Sequence, residues 1–314
     1  MLGLTLILPL MIILIVGSLL RKYNFYSEND LQTLSKTLYW IVLPPLLFST
    51  TYKSGKEVLG QSNLLTSLII CYLLTIVIAG IFAYFCIHKG QKERIAVSVF
   101  SSIRSNNIYL GFPVMFMALG EVGLENASIY IAVCTIPYHL ISLIAGEIML
   151  SGKITMEAFS HVMKRLIKNP LLASCFLGIF FALVGPDKLP RVFDTTMKMM
   201  GNSATAIALL ALGGSLELSK VTKIMKMLKR TWFDCLIKLI VHPAILYLTL
   251  TVFPVPTILM QTTVMISAMP TAVNCFIMAK EMNMDGDYAA DLVAASVILS
   301  AISIPFWASF LKLI

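Results

Sequence analysis

Apolar residues along this chain gather into ten runs that are separated by short polar connections. Each run is long enough to cross a bilayer as an α-helix, because a helix rises about 1.5 Å per residue and the hydrocarbon core is about 30 Å thick. The longest connection, 151–169, is too short for a soluble domain. The pattern predicts an all-α polytopic membrane protein with ten transmembrane helices. The predicted spans are 2–20, 31–51, 62–87, 95–118, 126–150, 170–186, 193–216, 231–253, 258–280 and 288–312.

Two of these spans contain polar residues and helix breakers near their centres. The fourth span contains "RSNNIYLGFP" (104–113) and the ninth contains "SAMPTAVN" (267–274). Pro270 has no N–H group and disfavours a helical conformation at Met269. A break leaves backbone N–H and C=O groups unpaired, so protein or a polar cavity must satisfy them inside a membrane. We therefore predict that both helices are broken near the midplane of the membrane.

The two halves of the chain resemble each other weakly but in order. Pro9 and Gly17 recur as Pro170 and Gly178 at a constant spacing. Each half contains five spans, so the second half must be inserted upside down. Inverted repeats with paired broken helices are typical of secondary transporters. The predicted organisation is a first five-helix repeat (1–150), a cytoplasmic linker (151–169) and an inverted second repeat (170–314), with broken helices 4 and 9 crossing.

Composition and charge agree with a membrane protein. Hydrophobic residues make up 58% of the 314 residues and charged residues 13%, with a mean hydropathy of +0.86. That leaves too little polar surface for a soluble globule. The net charge of +8 comes from Lys and Arg dispersed among short connections, which argues against a nucleic-acid partner. With the N-terminus outside, the cytoplasmic connections hold fifteen Lys and Arg and the opposite side five. This bias predicts that both termini lie outside a cell inner (plasma) membrane.

Polar groups at the two interruptions are the candidates for binding a substrate. After each break a new half-helix begins, and two facing helix N-termini would attract an anion, particularly a carboxylate. The asparagines either contact the substrate or only cap the half-helices. Arg104 either pairs with a substrate carboxylate or ties backbone carbonyls beside the break, because an arginine is expensive to bury in a membrane. The candidate substrate-binding residues are Asn106, Asn107, Gly111, Pro270, Thr271, Asn274 and Arg104.

Four other ionisable residues within the spans are candidates for binding a coupling cation or replacing its charge. Lys36 and Lys198 occupy nearly matching places in the second helix of each half. His139 and His242 each lie near a proline. A histidine there either relays protons or satisfies the carbonyls that the proline frees.

The remaining polar residues receive structural interpretations. Lys238 and Asp234 are predicted to lie near the cytoplasmic end of their helix, where they can reach headgroups or pair. The basic run "ELSKVTKIMKMLKR" (217–230) is interpreted as a solvated connection that faces headgroups. The six cysteines show no metal-ligand or redox spacing and are expected to be buried. Nucleotide-binding, metal-binding and catalytic motifs are missing from the sequence, which predicts a protein without cofactor, metal or enzyme activity.

At its interruptions the chain resembles the auxin efflux carrier family. "AMPTAVNCFIMAKEMN" (268–283) is similar to the ninth-helix signature of that family, and "SNNIYLGFP" (105–113) is similar to its fourth-helix crossover. "NPLLASCFLG" resembles its sixth helix, and the likeness covers essentially the whole chain. By this resemblance Asn106 matches the crossover asparagine and Pro270 the crossover proline.

The resemblance implies a fold like that of bile-acid symporters and sodium/proton antiporters. Helices 1, 2, 6 and 7 would form a scaffold, and helices 3–5 and 8–10 a mobile transport domain, in a homodimer with elevator-type alternating access. It implies a secondary transporter of a small organic anion, such as auxin, malate or malonate. Ser105 stands where plant members have proline, and 151–169 is short where many plant members have a long loop. Both differences favour a prokaryotic-type member.

Two other functions stay open at the level of sequence. A sodium- or proton-coupled symporter or antiporter of the same architecture would bind its cation at Lys36, at Lys198 or at the crossover carbonyls. A membrane-embedded ligand sensor would bind its ligand without moving it, although no signalling domain lies between the spans.

Overall fold

The chain folds almost entirely into α-helices. A computed structural model describes residues 2–53, 58–152, 160, 163–164, 167–185, 189–215 and 221–313, without the side chains of 2–7 and 221–223. Within these ranges there is no β-strand, and a single isolated bridge joins Ser105 and Thr271. The helices are α1 (Leu2–Lys22), α2 (Glu28–Thr37), α3 (Leu43–Lys53), α4 (Ser62–Phe82), α5 (Lys92–Ser102), α6 (Phe112–Ser151), α7 (Pro170–Val184), α8 (Arg191–Ser215), α9 (Val221–Leu236), α10 (His242–Val252), α11 (Thr257–Ser267), α12 (Cys275–Glu281) and α13 (Gly286–Phe310). Four π-helical turns adjoin them, at Leu38–Val42, Ala83–Ile87, Asn107–Gly111 and Ile237–Val241.

Each of the ten predicted spans contains helical residues. In the described part of the chain, four helical stretches are long and apolar enough to cross a membrane. These four are Ser62–Ile87, Asn107–Ser151, Ile224–Val252 and Gly286–Phe310, while Pro170–Val184 and Thr257–Ser267 are shorter apolar helices. The prediction of an all-α membrane protein is confirmed. The ten-span inverted repeat and its boundaries stay predictions, and most of the 151–169 linker lies outside the described residues.

Two predicted connections are helical instead. The basic run 217–230 is predicted as a solvated connection, but α9 begins at Val221, so its described part forms the first turns of a helix. The predicted loop between the fourth and fifth spans is also wrong. Only Gly120 leaves helical geometry there, at φ 60° and ψ −140°. Glycine accepts this conformation because it has no Cβ atom, so a kink within α6 replaces the loop.

Capping residues fix where several helices begin. The Ser27 hydroxyl accepts a hydrogen bond from the Asp30 amide, and the Asp30 carboxylate accepts one from the Ser27 amide, which forms a capping box at α2. Asn169 accepts hydrogen bonds from two amides in the first turn of α7. Asp285 accepts one from the Tyr288 amide at the start of α13. These contacts satisfy N–H groups that have no partner within their own helix.

The helices pack into two groups of neighbours. In the first group α1 packs along α8, α3 packs along α7, and α8 also contacts α2 and α3. In the second group α5 packs on α6, α4 on α10, α9 on α13, and α11 on α6. The groups contact each other where α1 meets α13 and where α3 meets α6. In the order of the predicted spans, the first group contains helices 1, 2, 6 and 7.

Two glycines allow the helices of the first group to approach closely. A Cβ atom on Gly213 of α8 would lie 2.1 Å from the backbone oxygen of Leu14 in α1. A Cβ atom on Gly178 of α7 would lie 2.1 Å from Thr51 Oγ1 in α3. Both distances are far below van der Waals contact, so these spacings require glycine, as small residues do at many membrane helix contacts.

Five of the six cysteines are buried as predicted, but Cys86 is exposed. Cys86 lies in the π-helical turn that follows α4, next to Phe85, which is also exposed. The prediction is wrong for this residue because an apolar run in a membrane helix faces lipid as well as the protein interior.

Replacing Gly213 by alanine is expected to lower the free energy of unfolding by about 1 to 3 kcal/mol, because the added methyl group must push α1 away from α8. The matched control is Gly80→Ala in α4, where the nearest atom to an added Cβ is Val99 Cγ2 at an ordinary 3.4 Å. Thermal unfolding of the purified protein in detergent measures both variants, and only Gly213→Ala should show a lower midpoint. Equal midpoints would contradict the close contact of α1 with α8.

Candidate functional site

The two interrupted helices meet at their breaks. The chain is not helical between α5 and the π-helical turn before α6, nor between α11 and α12. We call these segments the first break (103–106) and the second break (268–274), and their meeting place the crossing. The Asn106 N–H donates to the Pro270 carbonyl over 2.8 Å, and the Ala272 N–H donates to the Arg104 carbonyl over 2.9 Å. Each break therefore satisfies backbone groups that the other leaves free.

The local sequence explains why the helices stop here. Pro270 has no N–H to donate, but its carbonyl accepts the hydrogen bond from Asn106. Asn106 caps the next turn, because its Oδ1 accepts from the Tyr109 amide over 3.2 Å. Its carbonyl also accepts from the Gly111 N–H over 3.0 Å. Asn106 in the first break and Pro270 in the second thus hold the two breaks together.

Most of the predicted substrate-binding residues lie at this crossing. The buried ones are Asn106, Asn107, Gly111, Pro270 and Thr271. Three of their polar atoms have no hydrogen-bond partner among the described residues: Asn106 Nδ2, Asn107 Oδ1 and Thr271 Oγ1. Asn274 is exposed, and its side chain does not cap α12. Because α12 has only seven residues, side chains rather than a helix N-terminus dominate the polarity on that side.

Arg104 is the largest fully buried side chain, and its guanidinium lies between two aromatic rings. The Cζ atom is 4.7 Å from the centre of the Phe100 ring and 4.8 Å from that of Tyr138. Nη1 donates to Ser142 Oγ over 3.0 Å, and Nη2 is 3.1 Å from Met278 Sδ, which is a weak acceptor. Within the described part of the chain, Nε has no hydrogen-bond partner. The hydrogen bonds of this guanidinium therefore go to side chains and leave some of its donors unused.

Among the residues that the structure describes, no acid forms an ion pair with Arg104. Arginine stays protonated in proteins, and a positive charge in a low-dielectric interior costs free energy unless an anion accompanies it. A ligand that carries negative charge is the partner that this position lacks.

Lys238 also lies at the crossing, so its predicted position near the cytoplasmic helix end is wrong. The side chain is 1% exposed. Its Nζ donates to Ser105 Oγ over 2.8 Å and to the Ser267 carbonyl over 2.6 Å, and so joins the first break to the end of α11. Because α9 already begins at Val221, Lys238 lies well inside a long helical stretch and reaches serine oxygens rather than headgroups. An ionisable residue within an apolar run is the sequence signal for such a position.

The two candidate histidines have different partners. The Nδ1 atom of His139 is 3.5 Å from Arg104 Nη1. His242 is buried against α4, where its Nδ1 is 3.1 Å from Thr75 Oγ1 and its ring stacks on Tyr72 at 5.9 Å. His242 Nε2 has no partner in the described structure. Of the two, His139 is the one that contacts Arg104.

The two candidate lysines lie elsewhere. Lys36 is exposed on α2 and Lys198 is exposed on α8. Lys198 forms an ion pair with Asp194 at 3.0 Å, one turn earlier in the same helix. Neither belongs to the buried groups of the crossing.

Comparison with known proteins identifies relatives along the whole chain. A family model described as "Membrane transport protein" matches residues 2–308. An uncharacterized transporter of Methanothermobacter thermautotrophicus is 24% identical over 311 residues, which cover 96% of each chain. A "putative malonate transporter" of Rhizobium meliloti is 22% identical over 313 residues, which cover 95% of this chain and 92% of that one. An uncharacterized transporter of Escherichia coli K12 is 22% identical over 308 residues, which cover 96% and 95% of the two chains.

These matches agree with the resemblance predicted from the two breaks. The relatives are prokaryotic transporters of nearly the same length as this chain. A family match over residues 2–308 includes both breaks and every described helix except the end of α13. The protein therefore belongs to the membrane transport protein family, that of the auxin efflux carriers, as a prokaryotic-type member.

Proposed function

We propose that this protein is a secondary transporter of a small organic anion, and that it recognises a carboxylate. The observation that carries the proposal is the fully buried Arg104 guanidinium, which has no acidic partner in the described part of the chain. A carboxylate matches the planar donors of a guanidinium and supplies the missing negative charge. Membrane transport follows from the family, and the anion is the step that we add.

The groups around Arg104 support a ligand with several oxygen atoms. Phe100 and Tyr138 both lie against the guanidinium, and its unused N–H donors are the groups that a ligand would contact. The free donor atoms Asn106 Nδ2 and Thr271 Oγ1 lie among the buried residues of the same crossing. Buried donors of this kind are normally satisfied by protein, water or ligand. Carboxylate oxygens would serve all of them as acceptors.

The name of one relative supports the same chemical class. The Rhizobium meliloti protein is described as a putative malonate transporter, and malonate carries two carboxylates. Malonate is therefore the first substrate to assay for this chain.

The burial of the crossing supports alternating access. Arg104, Asn106 and Thr271 are all buried, so an anion reaches them only when helices move. We propose an elevator-type movement in which α4–α6 and α9–α13 carry the crossing past a scaffold of α1–α3, α7 and α8. We further propose that both termini lie outside the cell inner (plasma) membrane, as the basic connections predict. The homodimer that we propose follows from the family resemblance.

Arg104→Gln is expected to lower carboxylate exchange about 10- to 100-fold, because hydrogen bonds to a charged group contribute about 1.5 to 3 kcal/mol. The measurement is exchange of labelled acetate, malonate or malate in proteoliposomes, and Asn106→Ala should lower it as well. Arg191→Gln and Asn29→Ala, matched substitutions at exposed positions, should leave exchange unchanged. Undiminished exchange by Arg104→Gln would remove this residue from the site. Binding without flux in the natural protein would favour a sensor.

Lys238→Met is expected to reduce exchange while the thermal midpoint stays at or above that of the natural protein. Replacing a buried ionic group by an apolar one of similar volume is often neutral or stabilising. The Ser105 hydroxyl still donates to the Ser267 carbonyl over 3.0 Å, so no hydrogen-bonding group loses its last partner. Lys229→Met, at an exposed position, is the matched control. A much lower midpoint for Lys238→Met alone would show that this amine instead holds the two breaks together.

A further inference from the structure

A second buried polar cluster lies at the helix ends that the basic connections predict to be cytoplasmic. It brings together residues from three helices and from the turn that precedes one of them. The members are His88 after α4, Ser98 in α5, Asp234 in α9 and Tyr288 in α13. Asp234 is predicted to reach headgroups or to pair at this end of its helix. It is buried and lies 3.6 Å from His88 Nε2, so it pairs within the protein instead of reaching headgroups.

Asp234 is the centre of the cluster. Its Oδ2 accepts a hydrogen bond from Ser98 Oγ over 3.0 Å and another from the Tyr288 hydroxyl. The Nε2 atom of His88 is 3.6 Å from the same oxygen. The His88 ring also packs edge-on against Tyr288, with ring centres 4.9 Å apart. His88 is therefore fixed with Nε2 directed at the carboxylate.

Two atoms of this arrangement have no hydrogen-bond partner in the described structure. They are His88 Nε2 and Asp234 Oδ1, and both are buried. When Nδ1 already carries the ring proton, a second proton on Nε2 gives the histidine a donor that faces the carboxylate and turns the pair into an ion pair. Histidine in ordinary surroundings gains or loses this proton between about pH 5 and 8.

We propose that His88 and Asp234 form a proton-binding site that couples proton movement to anion transport. The proton binds at His88 Nε2 and is stabilised by the Asp234 carboxylate. The coupling part of this inference rests on the proposed transport function, whereas the proton site itself rests only on the geometry of the cluster.

The other charged groups around the cluster are largely paired among themselves. Arg94 Nε donates to Asp285 over 2.8 Å, and Arg230 Nη1 donates to Asp291 over 2.6 Å. Both guanidinium groups also lie over the Tyr288 ring, at 5.7 and 5.0 Å from its centre. Burial raises the pKa of the Asp285 carboxyl, but hydrogen bonds from Arg94 and the Tyr288 amide outweigh it, so the pKa lies below its usual value. Because Arg94 and Arg230 already have carboxylate partners, His88 is the basic side chain that lies next to the Asp234 carboxylate.

The remaining titratable groups near Asp234 lie on its own helical stretch. Cys235 is the next residue, and its thiol contacts Thr231 rather than the cluster. Lys238 is one turn further along and donates to Ser105 and to the Ser267 carbonyl at the crossing.

Shared helices give the two sites a physical connection. Asp234 and Lys238 lie one turn apart on the stretch that begins with α9. Ser98 belongs to α5, the helix that leads directly into the first break and Arg104. A change in the charge of the His88–Asp234 pair therefore acts on two segments that build the anion site. This is the link that coupled transport requires between its two ligands.

The proton site is tested first without any substrate. The chain has four histidines, so ¹³C-labelled histidine in nanodiscs gives four NMR signals, and His88→Gln assigns one. We expect the His88 signal to shift with pH as the ring gains its second proton. In Asp234→Asn its midpoint should move to lower pH by about one unit or more, because the charge that favours the imidazolium is lost. Asp287→Asn, a matched change at an exposed position, should leave the midpoint unchanged.

A His88 signal that does not titrate, or a midpoint unmoved by Asp234→Asn in a folded variant, would overturn the proton site. Tyr288→Phe provides a second variant if Asp234→Asn does not fold. It removes the hydroxyl that donates to Asp234, so it should move the midpoint to higher pH, because the carboxylate then has only Ser98 and His88 as donors. An unmoved midpoint in Tyr288→Phe would count against the site in the same way.

Coupling is tested in proteoliposomes with labelled malonate, measured both as exchange at equal pH and as accumulation under a pH gradient of either direction. The natural protein should accumulate malonate up to about tenfold per pH unit for one proton per anion. His88→Gln and Asp234→Asn should lose this accumulation while exchange stays measurable. Exchange without any response to the gradient in the natural protein would overturn coupling and leave the proposed function intact. Absence of exchange would count against the proposed function, and the NMR titration would still decide on the proton site.

Discussion

A helix that is broken inside a membrane must find partners for its freed backbone groups, and the structure depends on how this chain meets that requirement. The two breaks satisfy each other through the Asn106 N–H with the Pro270 carbonyl and the Ala272 N–H with the Arg104 carbonyl. By itself, either break would expose unpaired backbone N–H and C=O groups to the hydrocarbon core, which costs free energy. The pairing therefore fixes where α5, α6, α11 and α12 end or begin, and it brings polar side chains together at one place. Arg104 lies at that place because its own carbonyl is part of the pairing.

The same pairing leaves positive charge inside the protein. Arg104 is stacked between two aromatic rings and bonded to a hydroxyl and a thioether, none of which can neutralise it. Lys238 reaches the crossing from the π-helical turn after α9, and its two hydrogen bonds in the described structure go to oxygens without formal charge. By contrast, the guanidinium groups of Arg94 and Arg230 near the helix ends have carboxylate partners. Proteins usually keep an expensive buried group of this kind where a ligand completes it. An anion is the ligand that fits.

The breaks could be predicted from sequence because their causes are local. Pro270 forbids a helical hydrogen bond whatever surrounds it, and polar residues around Asn106 are out of place in an apolar span. The depth of Lys238 could not be predicted in this way, since it depends on α9 beginning at Val221. The contact of His88 with Asp234 depends on the packing of helices distant in sequence, which a single sequence does not reveal. Asn274 shares the polar character of its neighbours, yet it is exposed because the chain turns there.

The central claim is that Arg104 forms the anion site, and anion-dependent thermal stability of the purified protein tests it most directly. A ligand that binds only the folded state raises its stability, by about 2.7 kcal/mol at a concentration one hundred times the Kd. We expect a saturable rise in the unfolding midpoint with at least one of acetate, malonate, malate or succinate. The rise should be lost in Arg104→Gln and weakened in Arg104→Lys, which keeps the charge but loses the planar donors. The same saturable rise, with an unchanged Kd, in Arg104→Gln would contradict the account.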